Sequence, residues 1–306
     1  MRESFQLRVE DGTVLQGMVW KSTNEMAILQ VVHGALDYAL RYEPLAEWMT
    51  DHGVTVYVMD SRGHGSNQPE GADRVVIKLG DGMKMAGDAI ALGHRIARDH
   101  PGKRIFLLGH SMGSFIVRTA AGQTNMYAGY ILAGTSKQST ALIGFGRKLV
   151  ALLGAIKGSD GTSRLLDELS FNNFQRQMKR KGLIQDKHEW LTSDRDQIER
   201  IRRDDKINQR FGIGAYGAMF DTVHTGQLTS TVANTRAPLL ILTGLEDPLS
   251  RYGRTIPSVA ERYRKNAHIP VTEKYYPKMR HEVLTGHDRI KVYQDILDFI
   301  HHEPNN

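Results

Sequence analysis

Residues 109–113 read Gly-His-Ser-Met-Gly and directly follow the apolar run Arg104-Ile105-Phe106-Leu107-Leu108. A G-x-S-x-G string at the end of a strand, with a helical pattern just beyond it, describes a nucleophile elbow, in which the serine sits on a strained strand-to-helix turn. Gly109 and Gly113 leave room where a Cβ would collide, so Ser111 is left projecting from the top of a sheet. The helical stretch that starts near Ser114 directs the positive end of its dipole at that serine.

A serine hydroxyl is a poor nucleophile until a base takes its proton, and the base in turn needs an acid to orient it. On a strand-turn-helix scaffold of this kind the partners follow in the order serine, acid, histidine, each on a loop after a strand. The strand pattern Pro238–Thr243 is followed by Gly244-Leu245-Glu246-Asp247-Pro248, which offers Asp247, with Glu246 beside it as the other possible acid. The strand pattern Val271–Tyr275 is followed by Tyr276-Pro277-Lys278-Met279-Arg280-His281-Glu282, which offers His281. His287 is its nearest rival, but it stands at the start of the last helical pattern, where an exposed polar role is expected. His301 and His302 read as surface residues. Asp221 falls off any strand end and reads as a surface carboxylate. His110 adjoins the nucleophile with its side chain turned away, which suits a packed orienting residue.

Stabilising an oxyanion takes two backbone N–H groups, one from the residue after the serine and one from a loop after an early strand. Met112 supplies the first. Val31-Val32-His33-Gly34-Ala35 ends a strand in a glycine-containing turn, so the Ala35 N–H is expected as the second, with His33 bracing the loop.

The elements that must position these groups follow from the apolar periodicity. Strands are expected near Glu3–Glu10, Val14–Trp20 and Met26–Val32, then strand and helix signals alternate: helix Tyr42–His52, strand Val54–Met59, helix Gly82–His100, strand Arg104–Leu108, helix Ser114–Gln123, strand Tyr130–Ala133. After Pro238–Thr243 come a helix at Ser258–Lys265, the strand Val271–Tyr275 and a last helix at Asp288–His301. Continuous apolar runs separated by helices predict an α/β fold, a mostly parallel central sheet with helices on both faces. Residues 136–233 break the alternation and are expected to form a helical cap inserted into a core made of 1–135 and 234–306.

That insertion carries the charge asymmetry. It holds 16 Lys and Arg against 11 Asp and Glu, which is most of the chain's formal net charge of +6. The cluster Arg176, Lys179, Arg180 and Lys181 suits either a solvated face or a surface that meets anionic lipid or an acidic substrate. No basic face carries interleaved aromatics, so nucleic acid is not an expected partner. The apolar stretch Ala141–Leu153 could line an acyl channel or simply pack the cap. Zero cysteines exclude disulfides, thiolate metal sites and a cysteine nucleophile. No cofactor or metal is called for. The first residues read as an amphipathic strand rather than a secretory signal, no run is long enough to span a membrane, and a cytoplasmic location is expected.

With these residues placed, the chain resembles the alpha/beta-hydrolase superfamily, and within it the monoacylglycerol lipase and lysophospholipase-like group, also labelled serine aminopeptidase S33 or hydrolase-4. The matching pieces are His33-Gly34-Ala35, Asp60-Ser61-Arg62-Gly63-His64-Gly65-Ser66, Gly109–Ser114, Gly244–Pro248 and His281-Glu282. The Asp-x-Arg-Gly-His-Gly-x-Ser element is the most specific of them. At a strand end, Asp60 and Arg62 are expected to pair and fix a sharp loop, and the resemblance implies a structural role for them. The segment His188–Asp194, with Trp190-Leu191, is similar to a stretch of bacterial members. The group's usual run after the oxyanion loop is replaced here by Leu36-Asp37-Tyr38. What the resemblance implies is hydrolysis of a carboxylic ester, of a monoacylglycerol or lysophospholipid-type lipid, through Ser111, His281 and Asp247. A short-chain carboxylesterase, or a peptidase or amidase on the same scaffold, is the alternative.

Overall fold

The runs Ala27–Val32, Val54–Met59, Gly129–Ala133 and Leu239–Gly244 are buried along their whole length. Strands covered on both faces need no polar side, which is why these runs are apolar throughout rather than alternating. The computed structural model describes residues 1–302. Its elements are β1 (Arg2–Arg8), β2 (Val14–Trp20), β3 (Ala27–Val32), α1 (Glu43–Asp51), β4 (Val54–Met59), β5 (Arg74–Val75), α2 (Gly82–Asp99), β6 (Arg104–His110), α3 (Met112–Ala121) and β7 (Gly129–Ala133). Then come α4 (Thr140–Lys157), α5 (Arg164–Asp167), α6 (Asn173–Arg180), α7 (Arg195–Arg203), β8 (Arg210–Phe211), α8 (Ile213–Gly226) and α9 (Thr229–Ala233). The chain closes with β9 (Leu239–Gly244), α10 (Ile256–Ala267), β10 (Val271–Tyr276) and α11 (Arg289–His302).

Eight strands form one sheet in the order β1-β2-β4-β3-β6-β7-β9-β10. From β4 onward every pairing is parallel, whereas β1 and β2 join antiparallel. Alternate strand residues feed two cores. Ile28, Val32 and Leu107 face α2, α3 and α10, while Leu29, Val31, Phe106 and Leu108 face α1 and α11. Each such fully buried side chain contributes on the order of 1.5–3 kcal/mol of hydrophobic stabilisation. This is the mostly parallel, doubly covered sheet expected of an alpha/beta hydrolase.

Between β7 and β9 the chain runs through α4 to α9. Ser139 caps α4 by accepting from the Leu142 N–H, and Asp194 caps α7 by accepting from the Asp196 and Gln197 N–H groups, so both helices start where a short polar side chain can satisfy orphan donors. The buried helix α8 packs against α2 and α3 as well as α4. Short β8 pairs in parallel with β5.

The loop after β4 differs from expectation. Asp60 and Arg62 do not pair. The Asp60 carboxylate accepts from the Ala39 and Ser66 N–H groups at 2.6 and 2.7 Å, which folds the loop back on itself. Arg62 instead reaches Asp88 on α2, with bonds of 2.6 and 2.7 Å, and Asp11 in the β1–β2 turn at 2.7 Å. Two long-range acids present a fork to the guanidinium that a neighbour two residues away in a tight loop cannot, and bidentate geometry decides the partner.

Candidate active site

Ser111 has φ of 53° and ψ of −119°, a conformation that only a constrained turn imposes on a residue with a side chain. The constraint is steric. A Cβ on Gly109 would lie 2.3 Å from Gly113 O, and one on Gly113 would lie 2.1 Å from Val32 O. Because Ser111 alone turns the chain, α3 begins at Met112, two residues earlier than periodicity suggested. The Ser111 N–H is held by Ala133 O at 2.9 Å, which ties the elbow to β7.

The structure brings Ser111, His281 and Asp247 together from three strand ends. His281 Nε2 lies 2.8 Å from Ser111 Oγ, and its Nδ1 lies 3.1 Å from Asp247 Oδ2. Asp247 is fully buried, and its other oxygen accepts from the Leu249 N–H at 2.8 Å. Burial disfavours a charged ring at His281, but the Asp247 carboxylate outweighs it and raises the imidazole above its ordinary range. Glu246 points elsewhere, toward Arg280, at 3.5 Å. His287 is exposed and contacts Asp288, His301 and His302 are exposed on α11, and Asp221 pairs with Arg147.

The loop after β3 lies against the elbow, since a Cβ on Gly34 would sit 3.2 Å from Ser111 Cβ. His33 braces that loop: its Nδ1–H donates to Gly34 O at 2.7 Å and its Nε2 accepts from the Ser61 N–H at 2.8 Å. Among the described residues neither the Ala35 N–H nor the Met112 N–H has an acceptor. For Met112 this follows from its place in the first turn of α3, where backbone donors have no intrahelical partner.

Beneath this loop lies a buried ionic network that sequence reasoning did not find. The Asp37 carboxylate accepts from the Gly34 N–H, Arg41 Nη1 and the Tyr42 hydroxyl. Arg41 Nη2 also donates to both oxygens of Glu282. Burial penalises both carboxylates, yet Arg41 holds Asp37 well below the usual carboxylate range and lowers Glu282 as well. His110 Nδ1 lies 3.2 Å from the Tyr42 hydroxyl, so His110 is packed into this network, and its ring centroid is 5.3 Å from that of His281. The available signal was the i,i+4 spacing of Asp37 and Arg41 together with the position of Glu282 beside His281.

Two cavities meet at Ser111. One is a chamber of about 570 Å³ whose walls include Asp37, Arg164, Asn172, Lys187, Asn208 and Arg210. The other is a slot of about 90 Å³ walled by Leu142, Ile143, Gly146, Phe174, Phe220 and Val223. Only the first part of the apolar stretch Ala141–Leu153 therefore faces the slot, and Leu152 is 60% exposed on the outer side of α4. Ala35 and Ser111 line both cavities. Among the described residues no cluster of three His, Asp or Glu side chains is arranged to hold a metal ion, and no helix is long and apolar enough to cross a membrane.

Human monoglyceride lipase is 36% identical over 124 residues, which cover 40% of this chain and 39% of that protein, so the match spans about two fifths of its length. A monoacylglycerol lipase of Mycolicibacterium smegmatis is 26% identical over 301 residues, covering 92% of this chain and 91% of that one. A solved structure described as a lipase in its open form superposes with a TM-score of 0.87 over the whole of both chains at 21% identity, a likeness of fold. The family model Hydrolase_4, serine aminopeptidase S33, matches residues 23–288, and the chain belongs to that family.

Proposed function

We propose that the protein is a serine ester hydrolase that cleaves a single acyl chain from a polar alcohol, an ester of the monoacylglycerol or lysophospholipid type. The observation that carries this reading is the position of Ser111 Oγ, hydrogen-bonded to His281 at the junction of an apolar slot and a polar chamber. An ester carbonyl at that junction directs its acyl chain into the slot and its alcohol into the chamber. Ser111 Oγ attacks the carbonyl carbon as its proton passes to His281 Nε2, and Asp247 holds the ring and balances its charge. The N–H groups of Ala35 and Met112 stabilise the oxyanion, each worth on the order of 10²–10³ in rate. The alkoxide leaves with the proton from His281, and water then resolves the acyl-enzyme by the same route. The names of the relatives above support a monoacylglycerol as the substrate.

In this reading residues 136–233 form the cap over the two cavities. Exposed Leu142, Phe145, Leu152 and Ile156 on α4, with the basic side chains Arg176, Lys179, Arg180 and Lys181, support peripheral contact of that cap with an anionic membrane. A cytoplasmic location and no nucleic-acid partner belong to the same proposal. The small volume of the slot favours a second reading, a short-chain carboxylesterase.

Labelling with a fluorophosphonate probe tests the chemistry: wild-type protein labels and Ser111→Ala does not. A panel of p-nitrophenyl esters from acetate to dodecanoate separates the two substrate readings. Activity that climbs with chain length supports the lipid ester. A profile that is flat or falls beyond butyrate favours the short-chain esterase, and a folded wild-type protein that takes no label ends both.

A further inference from the structure

The hydrogen bonds that hold His281 leave one of its motions open. Asp247 and Ser111 lie at opposite ring nitrogens, 3.1 and 2.8 Å away, so together they define an axis about which the imidazole can still rock. Restraining that motion takes a flat surface against the ring. Trp190 provides one. Its indole is stacked on the imidazole with ring centroids 4.9 Å apart and 25° between the planes. Trp190 is buried, at 8% exposed, and is backed by Phe174, Met178 and Ile184.

The chain that carries Trp190 is also fastened to both neighbours of His281. The Glu282 N–H donates to Leu191 O at 2.7 Å. Arg280 Nη2 donates to Leu183 O at 3.0 Å, and its Nη1 donates to Glu189 O and, at 3.3 Å, to Thr192 O. Ser193 Oγ donates to Lys278 O at 3.2 Å. A stretch of the insertion between β7 and β9 is thereby held in fixed register with the loop that bears His281.

We propose that Trp190 is a positioning residue for His281: it holds the imidazole in line with Ser111 and favours the imidazolium that forms during ester cleavage. The inference rests on the reading of His281 as base and acid. When the Ser111 Oγ–carbon bond forms, the serine proton moves to Nε2. When the bond from carbon to the alcohol oxygen breaks, that proton moves to the departing alkoxide. In the interval the ring is cationic, and a cation over an indole face is attracted to its π electrons. The contact is stronger in the charged intermediate than in the resting state, which is the condition for it to raise kcat.

The test compares two soluble butyrate esters with different needs for the proton. p-Nitrophenolate leaves without one, whereas the alkoxide from glyceryl monobutyrate must receive it from His281. Trp190→Leu is expected to lower kcat/KM, which reports acylation, on both esters because each needs His281 to take the serine proton, by about tenfold or more on glyceryl monobutyrate and by a smaller factor on p-nitrophenyl butyrate. Trp190→Phe keeps a flat ring and should recover most of the difference. If Trp190→Leu does not fold, Trp190→Phe alone should show the same ordering at smaller size. Wild-type kcat/KM on glyceryl monobutyrate in Trp190→Leu, a larger loss on p-nitrophenyl butyrate than on glyceryl monobutyrate, or a loss that Trp190→Phe does not recover would overturn the proposal. Failure of the underlying reading shows differently, as wild-type protein without activity on either ester.

Discussion

Arg41 Nη2 donates to both carboxylate oxygens of Glu282, at 2.8 and 3.0 Å, and so joins the loop after β3 to the loop that carries His281. The same guanidinium donates through Nη1 to Asp37 at 3.0 Å, and Asp37 accepts from the Gly34 N–H. One cation therefore bridges the loop after β3 and the loop that carries His281.

Removing that cation leaves two buried carboxylates without a counter-ion. Arg41→Gln is expected to cost on the order of 3–5 kcal/mol, the usual result of breaking a buried pair from one side. Urea unfolding of the variant checks this, and a midpoint equal to wild type would show that the network contributes little. The pH dependence has a defined sign. Asp37 and Glu282 titrate below their ordinary values in the folded protein, so the stability they confer is present above the unfolded carboxylate range and is lost as pH falls from that range through their lower folded values. Arg41→Gln should reduce that acid sensitivity.

Activity has its own pH limb. In the proposed mechanism attack by Ser111 requires neutral His281, and the Asp247 carboxylate raises the ring above the ordinary imidazole value against the effect of burial. The acid limb of kcat/KM on a soluble ester should therefore lie above the position an ordinary imidazole would give. Asp247→Asn removes the raising charge and leaves burial, so the limb should move to lower pH. The plateau should fall by on the order of 10⁴, as in serine-protease triads that lose this acid. A limb that stays in place would show that another group controls it.

The strand ends were legible in the sequence, and so was the chain order in which Ser111, Asp247 and His281 come within hydrogen-bond distance, because each depends on local pattern. Val54–Met59 matches its expected bounds, and other elements shift at their ends, as α3 does where Ser111 reverses the chain in one residue. What stayed hidden was set by long-range geometry. Arg62 chose Asp88 and Asp11 over nearby Asp60 because a folded chain offered it two forks. Trp190 was visible as a motif, but its stacking on His281 depends on how residues 183–193 lie over a loop far along the chain. No periodicity encodes such a crossing.

Glycine positions give a sharp contrast in stability. A Cβ at Gly113 meets Val32 O at 2.1 Å and His33 O at 2.6 Å, backbone atoms at the end of β3 and the start of the loop after it. Gly113→Ala should cost more than the roughly 1–3 kcal/mol of ordinary overpacking, since no rotamer change relieves the clash. Gly144, within α4, has nothing within 4 Å of an added Cβ. Gly144→Ala should be stabilising by about 0.5–1 kcal/mol through the helix backbone alone. Urea midpoints of the two variants should move in opposite directions, and similar shifts would refute the steric account of the elbow.

The slot yields the most specific prediction about substrate length. Gly146 lies on α4 facing Phe220, and an added Cβ would come within 2.8 Å of the Phe220 ring. Both residues wall the slot, so the ring can give way only by changing the space an acyl chain would fill. Each buried methylene is worth about 0.8 kcal/mol, roughly fourfold in kcat/KM when it is realised in the transition state. Gly146→Val should therefore lower kcat/KM on the octanoyl ester by on the order of 10–100-fold while leaving the acetyl ester within about twofold. Because acetate never reaches the obstruction, it serves as the internal control for folding and for the Ser111–His281 pair. A uniform loss across the series would place the acyl chain elsewhere, and the chamber would then be the next region to test.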